Sequence, residues 1–280
     1  MGFLTTAASI AILLGPAMGI QAATNILIKQ TLVAHKPLKS EMPAGLTACG
    51  HHKKFTVLSG DHITLDDGTV LILRGIKAPE YWPVSAPYKS WPYGAKAKSA
   101  LTQYLAGHPI TLYCGKKKLT HAGEKIVHLM RDDNDWVQYW LVEKGHVYSF
   151  PVAGVAAGSA SLWQSEKRAR QQERGLWKKP SLSVVTATGK NLKPGWFQIV
   201  TGKVTTARKV RKNIYLNFGA DWRKDFTVQI GARSARTFRK QGIDPLSLQG
   251  KTIEVRGFME WSAGPKIIIT HSEQIFLGEK

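Results

Sequence analysis

Cysteine is nearly absent. Cys49 and Cys114 are the only two in 280 residues, which rules out a dense disulfide framework and any zinc site built from several thiolates. Cys49-Gly50-His51-His52 places one thiol beside two adjacent imidazoles, without the spacing of a closed metal site. Acids are scarce as well: 19 Asp and Glu stand against 39 Lys and Arg, a formal net charge of +20. A chain so poor in negative charge is suited to a polyanion, whether nucleic acid, an anionic membrane surface or an acidic polymer. Long apolar runs are missing after residue 23, so no later stretch is long and apolar enough to cross a bilayer. Hydrophobic content, at 43%, is ordinary for a globular chain and argues against wholesale disorder.

Residues 1–23 stand apart. Ala7 to Leu14 is apolar and helix-prone, Gly15-Pro16 breaks it, and Gln21-Ala22-Ala23 supplies small residues, the pattern of a secretory signal peptide. The segment before Ala7 carries no Lys or Arg, which leaves an uncleaved N-terminal anchor as the alternative. The expected location is therefore periplasmic or secreted, or membrane-anchored through the N-terminus. Behind an export signal, Cys49 and Cys114 permit one disulfide, with two unpaired thiols as the other reading. Residues 24–54 have no sustained periodicity and read as a linker.

From Phe55 the pattern changes. Phe55 and Val57 alternate before Ser59-Gly60-Asp61, Ile63 and Leu65 alternate after it, and Val70 to Leu73 follows an Asp67-Gly68 turn. Three meandering strands suit the start of a small barrel. Asp61 and Glu80 lie at its bends, where two carboxylates can hold a divalent cation, activate water, or stand as solvated turn residues. Residues 81–93 form a Pro- and aromatic-rich loop. Gly94 to Gly107 has helical spacing, His108 to Tyr113 and Ile126 to Met130 read as strands, and Trp136 to Lys144 and Ala160 to Arg174 read as helices. Residues 180–194 read as a second linker.

Gly60-Asp61-His62 and Ile72-Leu73-Arg74-Gly75-Ile76-Lys77-Ala78-Pro79-Glu80, with Ser165 to Arg170 and Gly175-Leu176-Trp177, resemble the thermonuclease (staphylococcal-nuclease-like) family over residues 55–179. The resemblance implies an OB-type barrel with helices, Ca²⁺ or another divalent cation if the domain is active, and phosphodiester hydrolysis. Carried over by position, Asp61 matches the first metal carboxylate and Glu80 the base. Lys77 stands where the second Asp belongs, Ile72 and Glu124 where the two Arg belong, and Arg74 is the nearest substitute. The expectation is a degenerate, inactive domain with no cofactor. The alternative is a divergent phosphodiesterase built on Asp61, Glu80, Arg74, His62 or His121.

Residues 195–280 read as a second module: three strands, a short basic helix over Ala232 to Gly242, then two strands, the order of an OB-fold. The expected fold class is thus β-rich α+β, two OB-type five-stranded barrels in tandem. Arg208, Lys209, Arg211, Lys212, Tyr215, Phe218, Trp222, Arg223 and Lys224 interleave cations with rings, as single-strand-binding faces do. The aromatics on the alternating strand have a second reading, as core. The expected partner is nucleic acid or another polyanion, with an anionic membrane surface or an envelope protein as alternatives.

Overall fold

The computed structural model describes residues 42–87, 89–116, 119–150, 156–179 and 184–277. The segment read as an export signal, residues 1–23, lies outside them. Alternating apolar residues form three antiparallel strands, β2 (Phe55–Val57), β3 (His62–Leu65) and β4 (Val70–Leu73), which turn Val57, Ile63, Leu65, Leu71 and Leu73 inward. Two further strands extend this sheet, β6 (Ile110–Cys114) and β7 (Lys125–Arg131), the latter parallel to β4.

The stretch expected to be a linker contributes a strand of its own. Residues Thr47–His52 form β1 and pair with β6. Few large apolar residues mark β1 in the sequence; it is held by its backbone ladder and by the Cys49–Cys114 disulfide, whose Cα atoms are 5.9 Å apart. The strand path is β1-β6-β7-β4-β3-β2. Its two ends are consecutive in the chain, with only residues 53 and 54 between them, so the sheet must coil to bring its edges together, although the hydrogen-bonded ladder does not close among the described residues. Helix α1 (Gly94–Leu105) buries Ala97, Leu101 and Leu105 against it. The short pair β5 (Ile76–Lys77) and β8 (Tyr148–Ser149), helix α2 (Val137–Glu143) and helix α3 (Ala156–Gln171) complete the first module.

The second sheet repeats this connectivity. Strands β10 (Phe197–Lys203) and β11 (Thr206–Val210) are again one strand broken in two. β12 (Asn213–Asn217) and β13 (Thr227–Ile230) meander from it, α4 (Ala232–Lys240) follows, and β14 (Thr252–Trp261) returns beside β10. β15 (Pro265–Ile269) pairs parallel to β13, as β7 pairs with β4. The path β11-β12-β13-β15-β14-β10 therefore matches β2-β3-β4-β7-β6-β1 strand for strand. The fold class is β-rich α+β, with two modules of the partly open, five-stranded Greek-key type.

The second expected linker is also partly a strand: Val184–Thr186 is β9, parallel to β10. The modules share a core of Trp91, Tyr148, Ala169, Leu176, Trp177, Phe197 and Ile199. Beside it lies an ionic joint. Glu166 on α3 and Arg256 on β14 are both 0% exposed. The Arg256 guanidinium donates to Glu166 at 3.0 Å, to Glu254 at 2.5 Å and to the Ser149 carbonyl at 2.6 Å. Arg170 donates to Glu254 at 2.6 Å, and the Ser149 amide donates to Glu166 at 2.5 Å. Burying such charges costs several kcal/mol per ion; here each carboxylate is met by two guanidinium groups. The described residues accordingly fall in one compact unit.

Candidate functional site

Asp61 sits at the bend between β2 and β3, drawn inward by Gly60. A Cβ on Gly60 would meet the Cβ atoms of Ala78 and Ala97 at 2.8 Å, so only glycine lets the bend approach α1 and the end of β5. The result is a carboxylate only 2% exposed. It accepts hydrogen bonds from the Ser59 hydroxyl at 2.8 Å and the Ala78 amide at 2.9 Å, and its Oδ1 lies 2.8 Å from His62 Nδ1. Glu80 is placed by a similar approach. Its carbonyl accepts the Trp91 amide, and a Cβ on Gly94 would come within 2.2 Å of that carbonyl oxygen.

Between the two acids lies Lys77, on β5 and 8% exposed. Its Nζ is 2.6 Å from Glu80 Oε1 and 3.4 Å from Asp61 Oδ2. Burial alone would raise the Asp61 carboxyl, but Lys77, His62 and the Ala78 amide outweigh it and hold the group well below the usual carboxylate range. Burial would likewise lower Lys77; the Asp61 and Glu80 carboxylates reverse this and raise it. His62 is also raised, burial being outweighed by Asp61. Its Nε2 lies 3.7 Å from Glu124 Oε1, and Thr120 Oγ1 donates to that side chain at 3.1 Å.

A divalent cation does not fit this arrangement. Ca²⁺ binds several oxygens at roughly 2.3–2.6 Å, and here an ammonium already bridges the two carboxylates. No group of three or more His, Cys, Asp or Glu side chains suited to a metal occurs among the described residues. Arg74 lies beside His128. It is half-buried, with Nε lacking a hydrogen-bond partner. Burial, reinforced by the Arg74 charge, depresses His128 on β7 to about 4. Ile72 pairs directly across from His62, so no cation projects from that position. His121 is exposed.

A second site lies on the second module. A groove of about 460 Å³ crosses β11, β12, β13 and β15 and is rimmed by Arg208, Tyr215, Trp222, Gln229, Ala263 and Lys266. Trp222 is 52% exposed, with the Arg223 guanidinium 5.0 Å from its ring centroid. Lys224 lies 3.8 Å from Asp221, an exposed pair. Phe218 does not belong here. It is buried in the core, 5.0 Å from Phe226. Strand alternation explains the correction: residues 213, 215 and 217 share one face, whereas 214, 216 and 218 share the other. Lys209, Arg211 and Lys212 border a separate depression beside α4. The sequence reading missed Gln229, Lys266 and the 262–265 loop. The parity of Tyr215 with Asn217 marks the face they share, but only pairing with β13 and β15 brings the others to it.

Residues 70–179 match the family model of the staphylococcal nuclease homologues. No curated protein matches the chain. The match begins at β4, so it contains Lys77 and Glu80 but not Asp61.

Proposed function

We propose that this chain, with its staphylococcal nuclease-like domain, is an exported nucleic-acid- or polyanion-binding protein that does not hydrolyse phosphodiesters and keeps no resident metal. The observation that carries the reading is Lys77 Nζ, 2.6 Å from Glu80 and 3.4 Å from Asp61. Metal-assisted hydrolysis needs a hard cation held by oxygens, a carboxylate free to handle water, and cations on the developing phosphoryl charge. Lys77 engages both carboxylates at once. Its ammonium is a fixed cation with no open coordination position, and cannot lower the pKa of a bound water as a metal does. Loss of a single transition-state donor costs about 3–4 kcal/mol in barrier, and Ile72 and Glu124 supply none.

Binding is assigned to the second module, where the groove combines Arg208 and Lys266 with the rings of Tyr215 and Trp222. A disulfide linking β1 to β6 supports an oxidising compartment. A gel assay with Ca²⁺, Mg²⁺ or Mn²⁺ on DNA and RNA, run beside anisotropy with labelled oligonucleotides, tests both halves of the proposal. The expected result is binding without cleavage. Cleavage abolished by Glu80→Gln would establish the phosphodiesterase reading instead. Absence of binding at low salt would leave the charge to an anionic membrane surface or an envelope protein.

A further inference from the structure

The edge strand β11 has a basic residue on each side. Arg208 belongs to the aromatic groove, and Lys209 to a separate concavity of about 220 Å³ on the opposite side. That concavity is bordered by Arg211 and Lys212 of the β11–β12 turn and by Arg236 and Arg239 of α4. Arg233, Arg236 and Arg239 recur every third residue, so they share the exposed side of α4, while Ser234, Ala235 and Phe238 are buried. None of these cations has a carboxylate partner among the described residues. The one acid on the rim, Asp244, is engaged in its own turn, accepting the Leu246 amide at 3.1 Å.

The turn adds a second observation. Arg211 adopts φ of +54°, a left-handed conformation that Gly or Asn takes more cheaply and that costs a larger residue on the order of 1 kcal/mol or more. The two-residue turn sets Arg211 on the border of the same concavity as Arg236 and Arg239 of α4.

We propose that α4 and the β11–β12 turn form a second binding surface, one that takes the phosphodiester backbone of a nucleic acid by charge alone. This deepens the polyanion-binding reading and rests on it. Guanidinium groups match phosphate oxygens in a bidentate geometry, and a concave channel between turn and helix suits a strand better than a flat bilayer. No aromatic side chain lines the concavity, so the surface positions a ligand without reading or stacking bases. A strand rounding β11 then meets rings on one side and a basic surface without rings on the other.

The test uses the full chain and fluorescence anisotropy with oligo(dT) and oligo(dA) at several salt concentrations. Arg236→Ala/Arg239→Ala should lower the slope of log K against log salt by about 1.4, roughly 0.7 for each single-strand phosphate no longer neutralised, equally for both oligonucleotides. Arg236→Lys/Arg239→Lys should keep most of the slope. Trp222→Ala should weaken binding about 5- to 150-fold, the equivalent of removing one base–aromatic stack, and leave the slope unchanged. All three substituted positions are exposed, and circular dichroism verifies folding. A wild type that binds while the double alanine variant keeps its slope overturns the second surface but not the polyanion reading. A wild type that binds no oligonucleotide at low salt overturns both. Unchanged oligonucleotide binding with loss of binding to phosphatidylglycerol vesicles would overturn the proposal in favour of a lipid surface.

Discussion

Lys77→Met removes one charge from the Asp61–Lys77–Glu80 bridge while keeping most of the side chain's length and apolar stem. Removing one partner of a buried ion pair typically costs about 3–5 kcal/mol, because the remaining charge is left uncompensated. Asp61 keeps its bonds from Ser59, Ala78 and His62, so the lower end applies: about 3 kcal/mol, out of the roughly 5–15 kcal/mol that a domain has in total. The cost should depend on pH. Asp61 is depressed in the folded protein, so its stabilisation is present above its unfolded pKa and is lost as pH falls through the folded value. In the variant the depression shrinks, and protonation of Asp61 relieves the uncompensated charge at a higher pH. His62, already raised, loses the opposing Lys77 charge. Its contribution is full below its unfolded pKa of about 6.5 and disappears as pH rises through the folded value. The imidazolium therefore supplies a replacement cation on mild acidification, close to Glu124 and Asp61. Urea unfolding at pH 7.5 and 5.5 should show the larger difference from wild type at the higher pH, with the m-value unchanged. A difference below about 1 kcal/mol at both pH values, in the range of a solvent-exposed pair, would refute the idea that Lys77 neutralises a buried carboxylate.

Lys77→Asp should reverse the chemistry of the same site: excess CaCl₂ should raise the melting temperature of this variant, by linkage to binding, and leave that of the wild type unchanged. Arg256→Met should destabilise the full chain by about 3–5 kcal/mol in chemical denaturation, and Arg256→Met with Glu166→Gln should recover part of the loss. Mature protein from its native host should begin near Ala23 or Thr24 by intact-mass measurement, whereas retention of Met1 in a soluble cytoplasmic fraction would rule out export.

The acid-bearing bends were legible because strand alternation on either side of Ser59-Gly60-Asp61 and the break at Pro79 bracket them. That Lys77 stands at the place of a metal carboxylate was expected from the resemblance; that it bridges Asp61 and Glu80, at 3.4 and 2.6 Å, is seen only in the structure. Other features depend on chain segments far apart in the sequence. β1 contains Gly50 and two histidines and gains its identity from β6, about 60 residues away. Arg256 reads as one more basic residue in a strand, and nothing local signals full burial, because its partner Glu166 is 90 residues distant. Phe218 was open to correction from the sequence itself, since the alternation of β12, continued one residue past Asn217, sets it on the face away from Tyr215. The cations of α4 were visible as composition, whereas the concavity they share with Arg211 required the turn and helix to be brought side by side.

The ionic joint also bears on inheritance. Glu166 belongs to the first module and Arg256 to the second, and each is fully enclosed. A recombination event that joined this first half to a different second half would import a strand without the arginine and leave Glu166 sealed against a mismatched surface. A single substitution at either position likewise leaves the other charge buried without its partner, at a cost of about 3–5 kcal/mol. The quartet of Glu166, Arg170, Glu254 and Arg256 thus makes each half a specific match for the other rather than an interchangeable part.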